Sequence, residues 1–455
     1  LPFRHRPRDA HPALARLPVA GTRLAFAGDA LRWGDMTRGA RPRTLLVISG
    51  GRAALPVIAR ARRMGLCVLV SDGMPDAPGF RIADAGLLAA VADADATVEA
   101  ARAYAALNRI DGVLGVGAEA AWTTAAVADA LGLPGLATGT AALVSDRLAL
   151  KRRLTGAGVP APWGVAVAHA GAVVAAATRA GQPCLVRPVD NGARRGTVRL
   201  LPGVDPAWAF ALAAAESAGG EVMLEAFVEG RAATAVALVA GGRVALIGVA
   251  DRAASHGAPL DPFVVGTAHE LPTRLHPAIG ERIEEMLAAV AAALGLTRGV
   301  IEAEVVVGGA GPVLVDVAVQ ASGGALWGHA LPLVTGVDGL DAAIRIALGE
   351  TTETAALRAR RHQAVVERVV LPPPGIVVDV RGAAEAAAGE GIVLVEMCVA
   401  PGDRIPVLPG PGRRAAIVLA VGPTHEAAAA RANAAVARLR VTTRSATAAV
   451  AATLH

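Results

Sequence analysis

A chain of 455 residues has room for roughly two to four domains and a sizeable core. Its apolar fraction of 54% is rich in alanine, and Asp, Glu, Arg or Gly break every long apolar stretch, so no run of roughly 18 residues is fit to span a membrane and a soluble protein is expected. The formal net charge of +5 does not imply nucleic-acid binding, because residues 1–43 hold nine Arg against three Asp and leave the body near neutral, without the basic stripe that a phosphate backbone needs.

That basic tail, 1–43, has no uninterrupted apolar segment, so it reads as disordered and not as a signal peptide. Met36 stands just ahead of the first strand-like run and is expected to be the native start, with 1–35 upstream of it. Residues 44–49, TLLVIS, end in Gly50-Gly51 and are followed by a helical stretch at 53–64 and a second run at 67–70. Strand, glycine turn, helix and strand open a doubly wound sheet. The Gly50-Gly51 turn is only a fragment of a dinucleotide fingerprint and reads as packing. A further βα pair, 112–117 and 118–131, completes a first α/β domain. Cys67, Cys184 and Cys398 lie in apolar runs without ligand spacing and read as buried, reduced thiols of a cytosolic protein.

Ser145-Asp146 can cap a basic helix, 147–157, which Pro160 and Pro162 close. After a helix at 168–180 come a strand, 184–187, the loop PVDNGARRG at 188–196, and a strand at 197–200. A glycine-bearing loop between antiparallel strands can direct N–H groups of Asn191, Gly192 and Gly196 at a polyphosphate, and Arg187, Arg194 and Arg195 add charge. Residues 222–239 alternate around Glu225, and 244–249 form another strand. Residues 251–272, with His256 and His269, read as irregular, and no metal-ligand spacing joins the two histidines. A helix spans 277–294.

The next stretch organises the rest. Two alternating runs, 301–307 and 312–319, flank Gly308-Gly309-Ala310-Gly311 and read as a β-hairpin. Pairing across so short a loop can set Glu304 beside Asp316, a costly neighbour for a carboxylate unless a divalent cation lies between them. The hairpin is therefore read as half of a magnesium–nucleotide site. Gly323-Gly324 and Trp327-Gly328-His329 lead into a helix at 339–348, and strands at 365–370, 391–398 and 417–421 with a helix at 425–439 make a small α+β unit.

In this order the segments resemble the ATP-grasp superfamily from residue 44 onward, and most resemble its carboxylate-amine ligases of the amino-acid ligase and dipeptide synthetase type. The resemblance implies an α/β fold of ATP-grasp architecture. A Rossmann-like domain at 44–140 would precede a two-part α+β core at 141–350 and a small C-terminal α+β domain at 351–455. It also implies ATP and Mg2+, with a substrate carboxylate activated as an acylphosphate and captured by an amine. Arg147 and Arg187 match the phosphate-contacting lysines, Glu225 and Val228 the adenine segment, and Glu304 and Asp316 the metal acids. Small-molecule carboxylate and amine substrates, amino acids among them, are expected, with no nucleic-acid or membrane partner, in a homodimer or beside an active paralogue.

The chain also departs from that pattern. The ribose acid is Ala232, a metal-binding Asn is Ala318, a usual acid is Gly266, and the Arg that stabilises the acylphosphate is Gln320. Scarcity of lysine accounts for Arg147 and Arg187, since Lys151 is the one lysine in the chain. It does not account for the others, and each lost electrostatic stabiliser costs roughly 3 to 4 kcal/mol of barrier. Arg194 or Arg195 could restore charge from the loop side. The alternative to a ligase is a degenerate ATP-grasp module that binds nucleotide or a partner. A dehydrogenase built on the first domain lacks the full glycine fingerprint.

Overall fold

The computed structural model describes residues 41–190, 195–255, 262, 263, 265–353, 357, 359, 363–407 and 413–445. Most of the basic tail, Asn191, Gly192, Arg194 and His256 therefore lie outside the described residues.

The first unit runs β1 (Thr44–Ile48), α1 (Leu55–Arg63), β2 (Cys67–Asp72), β3 (Ala85–Leu88), α2 (Ala94–Ala105), β4 (Gly112–Gly115) and α3 (Ala121–Leu131). Its strands form a parallel sheet in the order β3-β2-β1-β4. All five residues of β1 are buried, as an unbroken apolar run between two helical layers requires. The turn after β1 is a packing device. Gly50 N donates to Asp72 Oδ2 at 2.8 Å, and a Cβ on Gly79 would lie 2.7 Å from Gly50 Cα. Sequence reading missed β3 and α2, one because four residues carry little periodicity and the other because its buried face is mostly alanine.

The chain continues through α4 (Thr138–Ser145), α5 (Arg147–Gly156), β5 (Gly164–Val167), α6 (Ala170–Ala180), β6 (Cys184–Pro188), β7 (Val198–Arg199), α7 (Pro206–Ala215) and β8 (Val222–Ala226). Asp146 caps α5, its Oδ1 accepting from Leu148 N and Ala149 N at 2.9 and 3.0 Å. The four strands make a small antiparallel sheet, β5-β8-β6-β7, and the apolar sides of α6 and α7 join its core.

Then come β9 (Arg231–Ala240), β10 (Arg243–Ser255), β11 (Val265–Leu271), α8 (Pro277–Ala293), β12 (Gly299–Gly308), β13 (Gly311–Ala318), α9 (Leu331–Thr335) and α10 (Gly339–Ala347). The final segment holds β14 (Ala364–Val370), β15 (Gly375–Arg381), α11 (Ala383–Ala387), β16 (Ile392–Met397), β17 (Arg404–Ile405), β18 (Ala416–Gly422), α12 (His425–Arg438) and β19 (Arg440–Arg444). Eight of these strands form one antiparallel sheet, β13-β12-β9-β10-β11-β14-β18-β16, and β17-β15-β19 form a separate three-stranded sheet. The last hundred residues thus extend the large sheet through the β11–β14 pairing.

The expectation of an irregular 251–272 is corrected. Asp251–Ser255 prolong β10, and Val265–Leu271 form β11, with Arg252 paired to His269. Asp251, Arg252, His269 and Glu270 break the apolar alternation by which a strand is read from sequence, yet main-chain pairing does not depend on it.

Alternation places the acids. Ile301, Ala303 and Val305 enter the core shared with α8, so Glu302 and Glu304 face the other way, as do Val236 and Ala250, toward the first unit. The segment after β13 docks there. Val116 and Ala321 form an isolated parallel bridge, and Gly323, at φ 70°, comes so close that a Cβ would lie 2.1 Å from Ala53 O. Only glycine fits that approach.

Candidate active site

Glu304 is the cross-strand partner of Asp316 because a one-residue register shift between Glu304 and Val305 skips Val315, which the register set by the glycine loop alone would have placed opposite Glu304. The expected juxtaposition of acids is therefore present, and guanidinium groups meet both of them. Asp316 Oδ2 accepts from Arg187 Nη2 at 2.8 Å and from Arg147 Nη2 and Nε at 3.2 and 3.3 Å. Glu304 Oε1 lies 2.5 Å from Arg252 Nη1.

From Asp316 a chain of charges runs into the small sheet. Arg187, at the end of β6, donates through Nη1 to Glu225 Oε2 at 2.7 Å, and the other oxygen of Glu225 pairs with Lys151. Arg147 and Lys151 are one helical turn apart on α5 and reach the same site. Glu225 is 0% exposed and Arg187 2%. Burial alone would lower the Arg187 pKa, but Glu225 and Asp316 outweigh it and raise it above the ordinary range. Burial and the neighbouring Arg187 lower that of Arg147, which Asp316 offsets in part. The alternating order Lys151, Glu225, Arg187, Asp316, Arg147 carries one positive charge in excess where the small sheet meets the large one, with Glu225, Arg187 and Arg147 buried and Lys151 and Asp316 half-buried.

Glu225 therefore spends its carboxylate on Lys151 and Arg187, while Val228 lies beyond the end of β8, outside the ladder. Gly196, at φ 70°, ends the candidate phosphate loop. Arg195 stands apart from the buried run, reaching Glu119 at 2.9 Å and Glu216 at 3.3 Å with 42% of its side chain exposed. Gln320 is turned away from the acids. It is 5% exposed, and its amide donates to Gly115 O at 3.0 Å and accepts from Ala121 N at 3.2 Å, which seats it against the first unit.

Sequence reading missed Lys151, Glu302 and Arg252. The spacing of Lys151 from Arg147 on a helix was the available signal for the first. Glu302 anchors the segment after β13, accepting from Trp327 Nε1 at 2.8 Å and Ser322 N at 3.0 Å. Beyond Arg252 the same face holds a second pair, His269 Nδ1 and Glu367 Oε1 at 2.9 Å. Burial works against ionising Glu367, but His269, Arg414 and Arg252 outweigh it and hold the carboxyl below its usual range.

As a magnesium site the acids form a partial set. Among the described residues no group of three or more His, Cys, Asp or Glu is placed to hold a metal ion. Two neighbouring carboxylates suit Mg2+ when phosphate oxygens and water complete the octahedron, so they fit a cation that arrives with a nucleotide.

Residues 368–444 match the model of L-amino acid ligase C-terminal domain 2. A formate-dependent phosphoribosylglycinamide formyltransferase of Burkholderia thailandensis is 30% identical over 191 residues, 41% of this chain and 46% of that protein, so the chain spans less than half of that curated relative. Among solved structures, an L-amino acid ligase from Bacillus licheniformis superposes with a TM-score of 0.76 at 19% identity, over 89% of this chain and all of that one. A phosphoribosylglycinamide synthetase from Anaerococcus prevotii gives 0.68 at 15%, over 89% and 100%. No described helix is long and apolar enough to cross a membrane. The chain has the ATP-grasp fold, and at residues 368–444 it carries an L-amino acid ligase C-terminal domain 2.

Proposed function

We propose that the protein is an ATP-dependent ligase that joins a small carboxylate, an amino acid in the first instance, to an amine through an acylphosphate. The observation that carries this reading is the largely buried run Lys151, Glu225, Arg187, Asp316, Arg147 with its excess positive charge, placed between the two sheets of an ATP-grasp fold. The ligase-type C-terminal domain supports it.

In the unliganded chain the acids and guanidinium groups neutralise one another. A magnesium–nucleotide complex brings an anion for Arg147 and Arg187 and a cation for Glu304 and Asp316, so neither set is left unpaired on binding. Mg2+ held there would screen the phosphate charge. The carboxylate oxygen of the substrate attacks the γ-phosphorus, the bond to the bridging oxygen breaks, and ADP leaves with the electron pair. The amine nitrogen then attacks the acyl carbon, phosphate leaves, and the surplus amine proton passes to solvent. Buried cations stabilise the charge that builds on the leaving oxygens, and exclusion of water protects the intermediate from hydrolysis. The three described cysteines are free, which accords with a reducing cytoplasm.

Calorimetric titration with ATP, with and without Mg2+, tests the reading on the wild type and on Asp316→Ala. Binding is expected to need Mg2+ and to weaken at least tenfold in the variant. A screen of amino-acid pairs for ADP release should then find turnover. ATP binding that ignores both metal and Asp316, or no ADP release from any pair, would favour the non-catalytic module instead.

A further inference from the structure

The chain just after β13 offers no cation to the reacting end of the site: position 320 is a neutral glutamine, seated against Gly115 and Ala121. Arg195 is also engaged elsewhere, with Glu119 and Glu216. The guanidinium nearest the hairpin acid Glu304 on the side away from Arg147 and Arg187 belongs to β10. Arg252 is 14% exposed in its side chain and lies on the sheet face that looks toward the first unit. Its Nη1 is 2.5 Å from Glu304 Oε1, so the two acids Glu304 and Asp316 separate it from Arg147 and Arg187.

The neighbouring strand is cut to fit it. A Cβ on Gly266 would lie 2.8 Å from Arg252 Nη2, so glycine at this position of β11 leaves the space that the guanidinium fills. An acid at 266 would both crowd Arg252 and neutralise it.

We propose that Arg252, from β10, is the catalytic cation that faces the acyl phosphate, in place of the residue missing at 320. When the magnesium–nucleotide complex draws Glu304 away, the guanidinium is left to pair with the phosphoryl oxygens of the acylphosphate or with the substrate carboxylate that precedes it. The same face then continues to His269 and Glu367, so the carboxylate substrate lies along β10 and β11.

This assignment rests on the ligase reading, and the test separates the two. ADP and then acetyl phosphate, a minimal acylphosphate, are titrated calorimetrically into the wild type, Arg252→Met, Arg252→Lys and Gly266→Asp, each in Mg2+. ADP is expected to bind all four proteins. Acetyl phosphate should bind the wild type and lose at least tenfold in Arg252→Met and Gly266→Asp, with part of the loss restored in Arg252→Lys. Equal binding of acetyl phosphate by wild type and Arg252→Met, or none by an ADP-loaded wild type, overturns the role of Arg252 and leaves the nucleotide site standing. Failure of the wild type to bind ADP overturns the ligase reading and this assignment together.

Discussion

Glu367 shows how single charges are set by distant strands. It is buried, and His269 from β11, Arg252 from β10 and Arg414 ahead of β18 all face it. Its folded pKa lies below the ordinary 4.5, so the ionised carboxylate contributes stability that is fully present above that value and is lost as pH falls through the depressed one. Glu367→Gln should therefore be less stable than wild type near pH 6, and the gap should close as the pH is taken below about 4.5. Melting temperatures of both proteins across the acid range check this, and a gap independent of pH contradicts it. None of these contacts is legible from local sequence. Strand register sets Arg252 opposite His269 and His269 opposite Glu367, and only the assembled sheet brings Arg252 within reach of Glu304.

Elements whose signals are local were readable, and those defined by partners were not. The hairpin of β12 and β13 was legible because a short glycine loop fixes register, and register fixes which side chains meet. Glu304 and Asp316 are paired, but through a bulge that skips Val315, since the loop register alone would set Glu304 opposite Val315. Arg147 and Arg187 were expected at the phosphates and not on Asp316, and Arg252 on Glu304 was not expected at all. β10 was read too short for the opposite reason, since its last turn of alternation is polar. Docking of β13 onto the first unit shows a tighter constraint. A Cβ on Gly115 would lie 1.9 Å from the side-chain amide of Gln320 and 2.3 Å from Thr124 Oγ1. Gly115→Ala should cost about 1 to 3 kcal/mol in urea unfolding, the usual range for overpacking. Adding Gln320→Ala should return part of that loss. A double mutant no more stable than Gly115→Ala would show that Gln320 is not what the methyl group displaces.

At the scale of the molecule, the order of segments from residue 44 onward was enough to expect an ATP-grasp fold, because strand, glycine turn and acidic hairpin each leave a local trace. How the last segment joins leaves no such trace, since β11 and β14 meet across about ninety residues of chain. Four register pairs, from Ala268 with Arg368 to Leu271 with Val365, make the join. Leu271, Val365 and Leu419 are buried in the core that also holds β1 and α10. A chain ended at Glu353 would lose β14 and leave β11 as an open edge with its main-chain donors and acceptors unpaired, beside newly exposed apolar side chains. Such an edge recruits another copy, so the shortened protein should aggregate or elute as large species in size-exclusion chromatography, whereas the full chain elutes at a defined mass. A monodisperse, cooperatively folded product would instead mean that the β11–β14 join contributes little and that the C-terminal segment is an independent domain resting on a finished core.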